Sequence, residues 1–314
     1  MEDLPLDKKY RPQELSEVVG NSNTVQAIGE LLDRESDFPS CLLLHGPSGC
    51  GKTTLARIVA HKLGAQGWDL KEYDIAYMRG IETAREIGRL VTMRPRSGCR
   101  MVILDECQMA TREFQNGILK IIEEPPPDNY FAICTTEPTK LINTIRTRST
   151  RFPMELLRED DIEFLVKRVA ESEEVDIPDK VVDKIAIASG GSPRQALVLL
   201  DSIIDLRDEE MMIGIVQGYV GIPEKTIADL CQGLLKHRPW KEIVEIIKTF
   251  DKEDAERARN QLLAYFEKVL FSKGASGSGV AEMMDFFTTP LYATGRPGFT
   301  QACLFAWLSQ EGKK

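Results

Sequence analysis

The stretch His45–Arg57, HGPSGCGKTTLAR, constrains this chain more than any other. It fits G-x-x-x-x-G-K-[ST] at Gly46, Gly51, Lys52 and Thr53, with Pro47, Ser48, Gly49, Cys50 and Thr54 completing the segment. The apolar run Cys41–Leu44 precedes it and a helical pattern follows, so the segment reads as strand, loop, helix. In such a loop the glycines let the backbone turn tightly and present N–H groups to phosphates, aided by the N-terminus of the next helix. Lys52 supplies a point charge to the β- and γ-phosphates, and the Thr53 hydroxyl binds Mg²⁺. A chance glycine-rich turn is the competing reading, and the flanking strand and helix weigh against it.

Around this loop, residues 1–155 alternate apolar runs with helical patterns. Residues 41–45, 71–76, 100–105 and 130–136 read as strands, and 23–33, 52–63, 81–93 and 112–124 as helices. Near-continuous apolar strands imply burial on both faces of a parallel sheet. The expected class is therefore α/β, with a doubly wound sheet. After Phe152-Pro153 the strands stop, and 156–216 reads as all-helical. The turn signal Gly221-Ile-Pro223 opens a third, mainly helical part, giving expected domains 1–155, 156–216 and 217–314. Within the last, Ser272–Gly279 reads as a flexible loop by composition. Its apolar residues recur at helical spacing, and Trp240 and Trp307 read as packing residues.

A second chemical segment lies about 50 residues beyond the loop. Met101-Val-Ile-Leu104 ends in Asp105-Glu106. One carboxylate at a strand's end can hold Mg²⁺ through water and the next can polarise an attacking water. Two surface acids ending a strand would look the same in isolation.

With 314 residues, 42% hydrophobic and 28% charged, the chain has an ordinary globular composition. No apolar stretch is long enough to span a bilayer, and the N-terminal residues lack a signal peptide's apolar region. Seven scattered cysteines, none in a C-x-x-C pair, argue against a disulfide framework or zinc site and for a reducing cytoplasm. A net charge of −9 argues against a protein that coats nucleic acid uniformly, but does not exclude a local basic surface.

Five phrases together resemble the AAA+ clamp-loader ATPases, especially the bacterial gamma/tau subunit and, less closely, the small subunits of replication factor C. They are KKYRPQELSEVVGN (8–21), GPSGCGKTT (46–54), ILDECQMATREFQNGILKIIEEPPP (103–127), TTEPTKLINTIRTRSTRF (135–152) and GGSPRQALVLLD (190–201). The resemblance implies a P-loop domain, a helical lid and a helical collar. It implies an adenine pocket lined by Tyr10, Arg11, Pro12, Val18 and Val19. Asp105 would organise Mg²⁺ with Thr53, and Glu106 would be the catalytic base. Thr136, beside Thr135, would sense the γ-phosphate; Arg148 would complete a neighbouring subunit's site; Arg194 would link nucleotide to the lid. The sequence departs from the family at Thr147-Arg148-Ser149, where Ser-Arg-Cys is usual, and at Gln108, where the bacterial subunit usually has His. The stretch Ala60–Glu72 is too short for the bacterial subunit's four-cysteine zinc module, and the expectation is a minimal subunit without the tau form's long C-terminal extension.

The residues alone support part of this. Ser192-Pro193-Arg194 is an N-cap, a proline at the first helical position and a cation that a bound phosphate would compensate. A solvated arginine is the alternative there, as it is for Arg148 among Arg146 and Arg151. Between residues 79 and 100 lie Arg79, Arg85, Arg89, Arg94, Arg96 and Arg100, against only Glu82 and Glu86. With Gly80 and the exposed N-terminus of a helix, these are candidate phosphate contacts, and internal pairing such as Glu82–Arg85 is the alternative. In the family this helix and the next, bearing Lys120, face a central chamber. Gly117 lies inside the second helix, where a close backbone approach is one explanation.

The expectation is an ATP- and Mg²⁺-dependent motor subunit that loads a ring-shaped sliding clamp onto primer–template DNA. Its partners would be the clamp, DNA and like subunits in a ring, a pentamer by the resemblance, in bacterial or viral replication and away from membranes. The rivals are another AAA+ DNA motor, such as a branch-migration helicase or helicase loader, and a nucleotide-binding scaffold without turnover.

Overall fold

The computed structural model describes residues 4–34, 38–219, 224–250, 255–273, 278–289 and 295–310. The turn signal at Gly221-Ile-Pro223 and the middle of the Ser272–Gly279 loop lie outside these residues. The chain divides into two compact units, Met1–Gln217 and Gly218–Lys314.

In the first unit, α1 (Leu6–Lys9) and α2 (Ser22–Leu32) precede β1 (Cys41–His45). There follow α3 (Lys52–Leu63), β2 (Leu70–Asp74), α4 (Ile81–Thr92), β3 (Arg100–Asp105), α5 (Arg112–Glu123), β4 (Asn129–Thr135), α6 (Asn143–Arg148) and β5 (Thr150–Pro153). The strands form one parallel sheet in the order β2-β3-β4-β1-β5. The apolar run of β1 is central, and the sheet's alternation sends its side chains to opposite layers. Leu42 and Leu44 join Ile103 and Ala132 beneath Leu55 and Val59 of α3. Leu43 joins Val102, Phe131 and Ile133 beneath Ile87 of α4 and Phe114 and Ile118 of α5. All three leucines are fully buried, each contributing about 1.5–3 kcal/mol.

The helix after β1 thus covers one face of the sheet, and the helices after β3 and β4 cover the other, with Ile145 of α6 in the second layer. Neighbouring β1 and β4 therefore send their connections to opposite sides, and such a switch point leaves a crevice at the strands' C-terminal ends. It is there that the glycine-rich loop emerges.

Two strands differ from the sequence expectation. β2 ends at Asp74 rather than 76, because the Asp74 carboxylate accepts from the Ala76 N–H (2.9 Å) and turns the chain. β5 was not expected. It is a short edge strand with Thr150 and Arg151 exposed, so no apolar run marks it, and an edge tolerates its Pro153. Gly117 has a packing explanation. A Cβ there would come within 2.8 Å of Ile81 Cδ1 and 2.9 Å of Ala84 Cβ, so the glycine lets α4 and α5 approach closely.

Helices α7 (Glu159–Ser172), α8 (Asp179–Ala188) and α9 (Pro193–Asp201) follow in the first unit, which ends within α10 (Glu209–Tyr219). Their core includes Leu165, Val182, Leu197 and Leu200, and it also takes in Leu6 from α1. Tyr10 and Val19 pack against it, so the N-terminal segment leans on the helical bundle as well as entering the sheet layer.

The second unit is a helical assembly of α11 (Glu224–Leu235), α12 (Trp240–Lys248), α13 (Ala255–Lys273), α14 (Ser278–Asp285) and α15 (Gly295–Leu308). Leu230, Leu234, Ile243, Ile247, Leu262 and Phe266 form its core. Trp307 stacks on His237 with ring centroids 4.3 Å apart and donates its indole N–H to the Arg238 carbonyl at 2.7 Å. Both tryptophans pack against the core, as the sequence reading had it.

Candidate functional site

The glycine-rich loop turns through left-handed conformations at Gly49 (φ 77°) and Gly51 (φ 99°), which glycine adopts without steric cost. At Gly49 a Cβ would also lie 2.3 Å from Ser192 Oγ, the N-cap of α9. Lys52 opens α3 and is only 6% exposed. Its Nζ donates to the carbonyls of Gly46 (2.9 Å) and Pro47 (2.7 Å). Among the described residues it forms no ion pair. With two carbonyls and, at 4.0 Å, the Cys50 sulfur as partners, this buried ammonium has no counter-charge among the described residues, and a phosphate supplies one. The first N–H groups of α3 likewise have no intrahelical acceptor.

One expected donor is otherwise engaged. The Gly46 N–H was expected to face phosphate, but it donates to the Thr135 carbonyl at 3.2 Å. Gly46 extends the β1–β4 pairing by one step, and the phosphate-facing part of the loop begins after it.

Thr53 Oγ1 donates to Asp105 Oδ2 at 2.8 Å, and the Glu106 N–H donates to Asp105 Oδ1 at 2.9 Å. A hydroxyl and a carboxylate in contact offer two hard oxygen donors. Mg²⁺ is bound in this way, by one or two protein oxygens with phosphate and water supplying the rest, so the pair fits that ion. Glu106 follows in the left-handed conformation (φ 52°), uncommon outside glycine and costly enough to need support from its surroundings.

These residues meet in a cleft of about 190 Å³. Tyr10, Arg11, Pro12, Val18 and Val19 line it from the N-terminal segment; Ser48, Gly49, Cys50, Gly51, Lys52, Thr53 and Thr54 from the loop; Asp105 and Glu106 from the end of β3; Arg194 from α9. The helical bundle supplies an apolar wall of Leu157, Leu165 and Leu197. Sequence reasoning missed that wall, since helical spacing marks Leu165 and Leu197 as core-facing without separating core from cleft. It also missed Arg57 and Glu72, which line the cleft as a two-bonded ion pair at 2.8 and 2.9 Å.

The N-terminal segment is tied down at two points. The Arg168 guanidinium donates to the Glu17 carbonyl (3.3 and 3.4 Å). Burial, helped by a hydrogen bond to Glu173, pushes the Tyr10 phenol above its usual range.

Gly46, Pro47, Thr136 and Arg148 do not line this cleft. Thr136 is nonetheless linked to it, because its N–H donates at 3.1 Å to Gln108, whose amide in turn donates to Glu106. Arg148 lies at the end of α6, where it pairs with Glu123 at 2.6 Å.

The arginine-rich run separates into three kinds. Arg100 is not a surface cation. It is 4% exposed and pairs with buried Asp69 at 2.9 Å, which removes it from any nucleic-acid face. Arg85 pairs with Glu82 at 2.6 Å on the exposed side of α4. Arg79, Arg89, Arg94 and Arg96 are exposed and form no ion pair among the described residues, and Glu86 instead accepts from the Tyr73 hydroxyl. Gly80 caps α4, and exposed Lys120 sits on the neighbouring α5.

Residues 74–157 match the family described as DNA polymerase III, delta subunit, and residues 4–73 match the Rad17 P-loop domain. The gamma subunit of DNA polymerase III from Buchnera aphidicola subsp. Acyrthosiphon pisum is 30% identical over 254 residues, 74% of this chain and 70% of that protein. The chain belongs to the AAA+ clamp-loader family. The gamma/tau subunit from Mycobacterium tuberculosis is 33% identical over 251 residues, 72% of this chain. This clamp-loader chain matches only 43% of that protein's length. Replication factor C subunit 3 from Blastobotrys adeninivorans is 33% identical over 227 residues, 70% of this chain and 67% of that one. Among solved structures, the Thermotoga maritima RuvB Holliday junction branch migration motor has the same fold, with a TM-score of 0.58 at 22% identity over 72% of this chain and 79% of that one. No helix among the described residues is long and apolar enough to cross a membrane.

Proposed function

We propose that this chain is an ATP-hydrolysing motor subunit of a sliding-clamp loader, acting on primer–template DNA during replication. The observation that carries the reading is the buried Lys52 ammonium, without an ion-pair partner among the described residues, in one cleft with the Thr53–Asp105 contact and Glu106. Lys52 then binds the β- and γ-phosphates, and Tyr10, Arg11, Pro12, Val18 and Val19 receive the adenine. Thr53 and Asp105 hold Mg²⁺, which neutralises phosphate charge when bound. Glu106 orients a water against the γ-phosphorus and takes its proton as ADP departs. Thr136 responds to the γ-phosphate, Arg194 conveys its presence to the helical bundle, and Arg148 leaves Glu123 to serve a neighbouring subunit's site. Arg79, Gly80, Arg85 and Lys120 contact the DNA backbone. The partners are a clamp, DNA and like subunits in a five-membered ring, in a reducing cytoplasm consistent with seven free, buried cysteines. Residues 1–155, 156–216 and 217–314 serve as motor, lid and collar.

Phosphate release, measured with and without primed DNA and clamp, tests this reading. Glu106→Gln should bind MgATP, clamp and DNA, yet stall before release. Stimulation by DNA without any effect of clamp would favour a different DNA motor. Absence of turnover in the wild type would favour a scaffold.

A further inference from the structure

We infer that Gln108 is a positioning residue for Glu106, with its carboxamide coupling the proposed base to the end of β4. The inference rests on the reading of Glu106 as the base. It concerns a residue that stood out in the sequence only as a departure from the family's usual His.

The hydrogen bonds around Gln108 have a fixed direction. A backbone N–H can only donate, and the Thr136 N–H points at Gln108 Oε1 at 3.1 Å. The amide oxygen must therefore face β4, which leaves the NH₂ facing Glu106, where it donates to Oε2. The Thr135 hydroxyl fits the same order. It accepts from the Glu137 N–H at 3.2 Å and donates to Gln108 Oε1 at 2.9 Å. Thr135 is 1% exposed, so this anchor sits in the sheet layer and not in solvent. The result is one directional chain from Glu137 through Thr135 and Gln108 to the Glu106 carboxylate.

Glu106 needs such an anchor. Its backbone is in the left-handed region, and its N–H is committed to Asp105. The side chain's direction is then set by what grips its far end, and Gln108 does so through a donor. A carboxylate held by one oxygen keeps the other free to orient water. Because Oε1 of Gln108 binds both Thr135 and Thr136, a shift at the end of β4 moves the carboxylate with it.

Variants that divide the amide's two halves test this. Gln108→Glu keeps an oxygen for Thr135 and Thr136 but replaces the donor facing Glu106 with an acceptor. Gln108→His retains one acceptor and one donor. MgATP hydrolysis by the full chain with primed DNA should show kcat lower by about 10–100-fold in Gln108→Glu, the scale of a misplaced catalytic group, with KM for ATP and melting temperature near wild type. Gln108→His should recover most of the rate. In a Glu106→Gln background, Gln108→Glu should lower kcat no further. Wild-type kcat in Gln108→Glu, or an equal loss in both backgrounds, overturns the inference. If Gln108→Glu melts early, Gln108→Leu is the second probe, and wild-type kcat in that variant overturns the inference equally. Wild-type turnover in Glu106→Gln alone would instead overturn the parent reading of Glu106.

Discussion

The two ends of the parallel sheet bury the same kinds of charge under opposite conditions. Where the strands begin, Arg100 and Asp69 are both almost wholly enclosed and meet at 2.9 Å. The second oxygen of Asp69 accepts from the N–H groups of Arg96 (2.6 Å) and Ser97 (2.8 Å) and from the Ser97 hydroxyl (3.0 Å). Arg100 also donates to the carbonyls of Leu90 and Met93, each at 2.7 Å. Where the strands end, Lys52 is as deeply buried, yet its partners are the carbonyls of Gly46 and Pro47 and, at 4.0 Å, the Cys50 sulfur, with no carboxylate paired to it among the described residues. A buried cation whose counter-charge lies within the chain serves the fold. One whose counter-charge must come from outside serves a ligand.

Breaking the first end should have the largest effect. Arg100→Ala strands the Asp69 carboxylate and should cost about 3–5 kcal/mol of stability by denaturant titration at neutral pH. Burial alone would raise the Asp69 carboxyl, but the hydrogen bonds from Ser97, Arg96 and Arg100 outweigh it and hold the group below the usual carboxylate range. A lowered pKa contributes stability that is complete above the unfolded value and lost as pH falls through the folded one. The gap between wild type and Asp69→Asn should therefore be widest near neutrality and close below about pH 4. If Arg100→Ala melts like wild type but loses DNA or nucleotide binding, the two ends have been assigned the wrong way round.

The other end should fail differently. Lys52→Ala should lower MgATP turnover by about 10²–10³-fold, as expected when a charge-stabilising donor is removed. Its melting temperature without nucleotide should stay near wild type, while the rise that ATP gives the wild type should vanish. A ligand-free Lys52→Ala protein as unstable as Arg100→Ala would show that this lysine, too, works for the fold.

The smallest effect belongs to the exposed arginines, where the same distinction recurs in solvent. Arg85 has Glu82 at 2.6 Å, whereas Arg79 has no ion-pair partner among the described residues. Losing one phosphate contact reduces the slope of log affinity against log salt by about 0.9 on duplex DNA. Arg79→Ala should show that reduction, and Arg85→Ala a smaller one. Equal changes in both would mean the Glu82 pairing does not govern which arginine meets DNA.

Much of the fold was legible because its signals are local. The loop at Gly46–Thr53 carries its chemistry within eight residues, the apolar runs of β1, β3 and β4 announce strands covered on both faces, and Asp105-Glu106 falls where a strand must end. Ser192 at the head of α9 caps it as read, accepting from the Gln195 N–H at 3.3 Å. What stayed hidden depends on partners far away in sequence. Arg100 looked like one more basic residue because Asp69 lies 31 positions before it. β5 escaped notice because an exposed edge strand needs no apolar alternation. Gly117 gave no sign whether its missing side chain made room for a ligand or for a neighbouring helix. Leu165 and Leu197 showed the spacing of core residues, and periodicity reports only that a face is turned inward. The sequence by itself determined the loop, the order of strands and helices, and the residue types that can meet a phosphate. The tertiary structure decided which charges are already answered and which residues close the cleft. It also decided that Gln108 joins the end of β3 to the end of β4, because hydrogen bonds and ion pairs depend on distances in space that no spacing along the chain encodes.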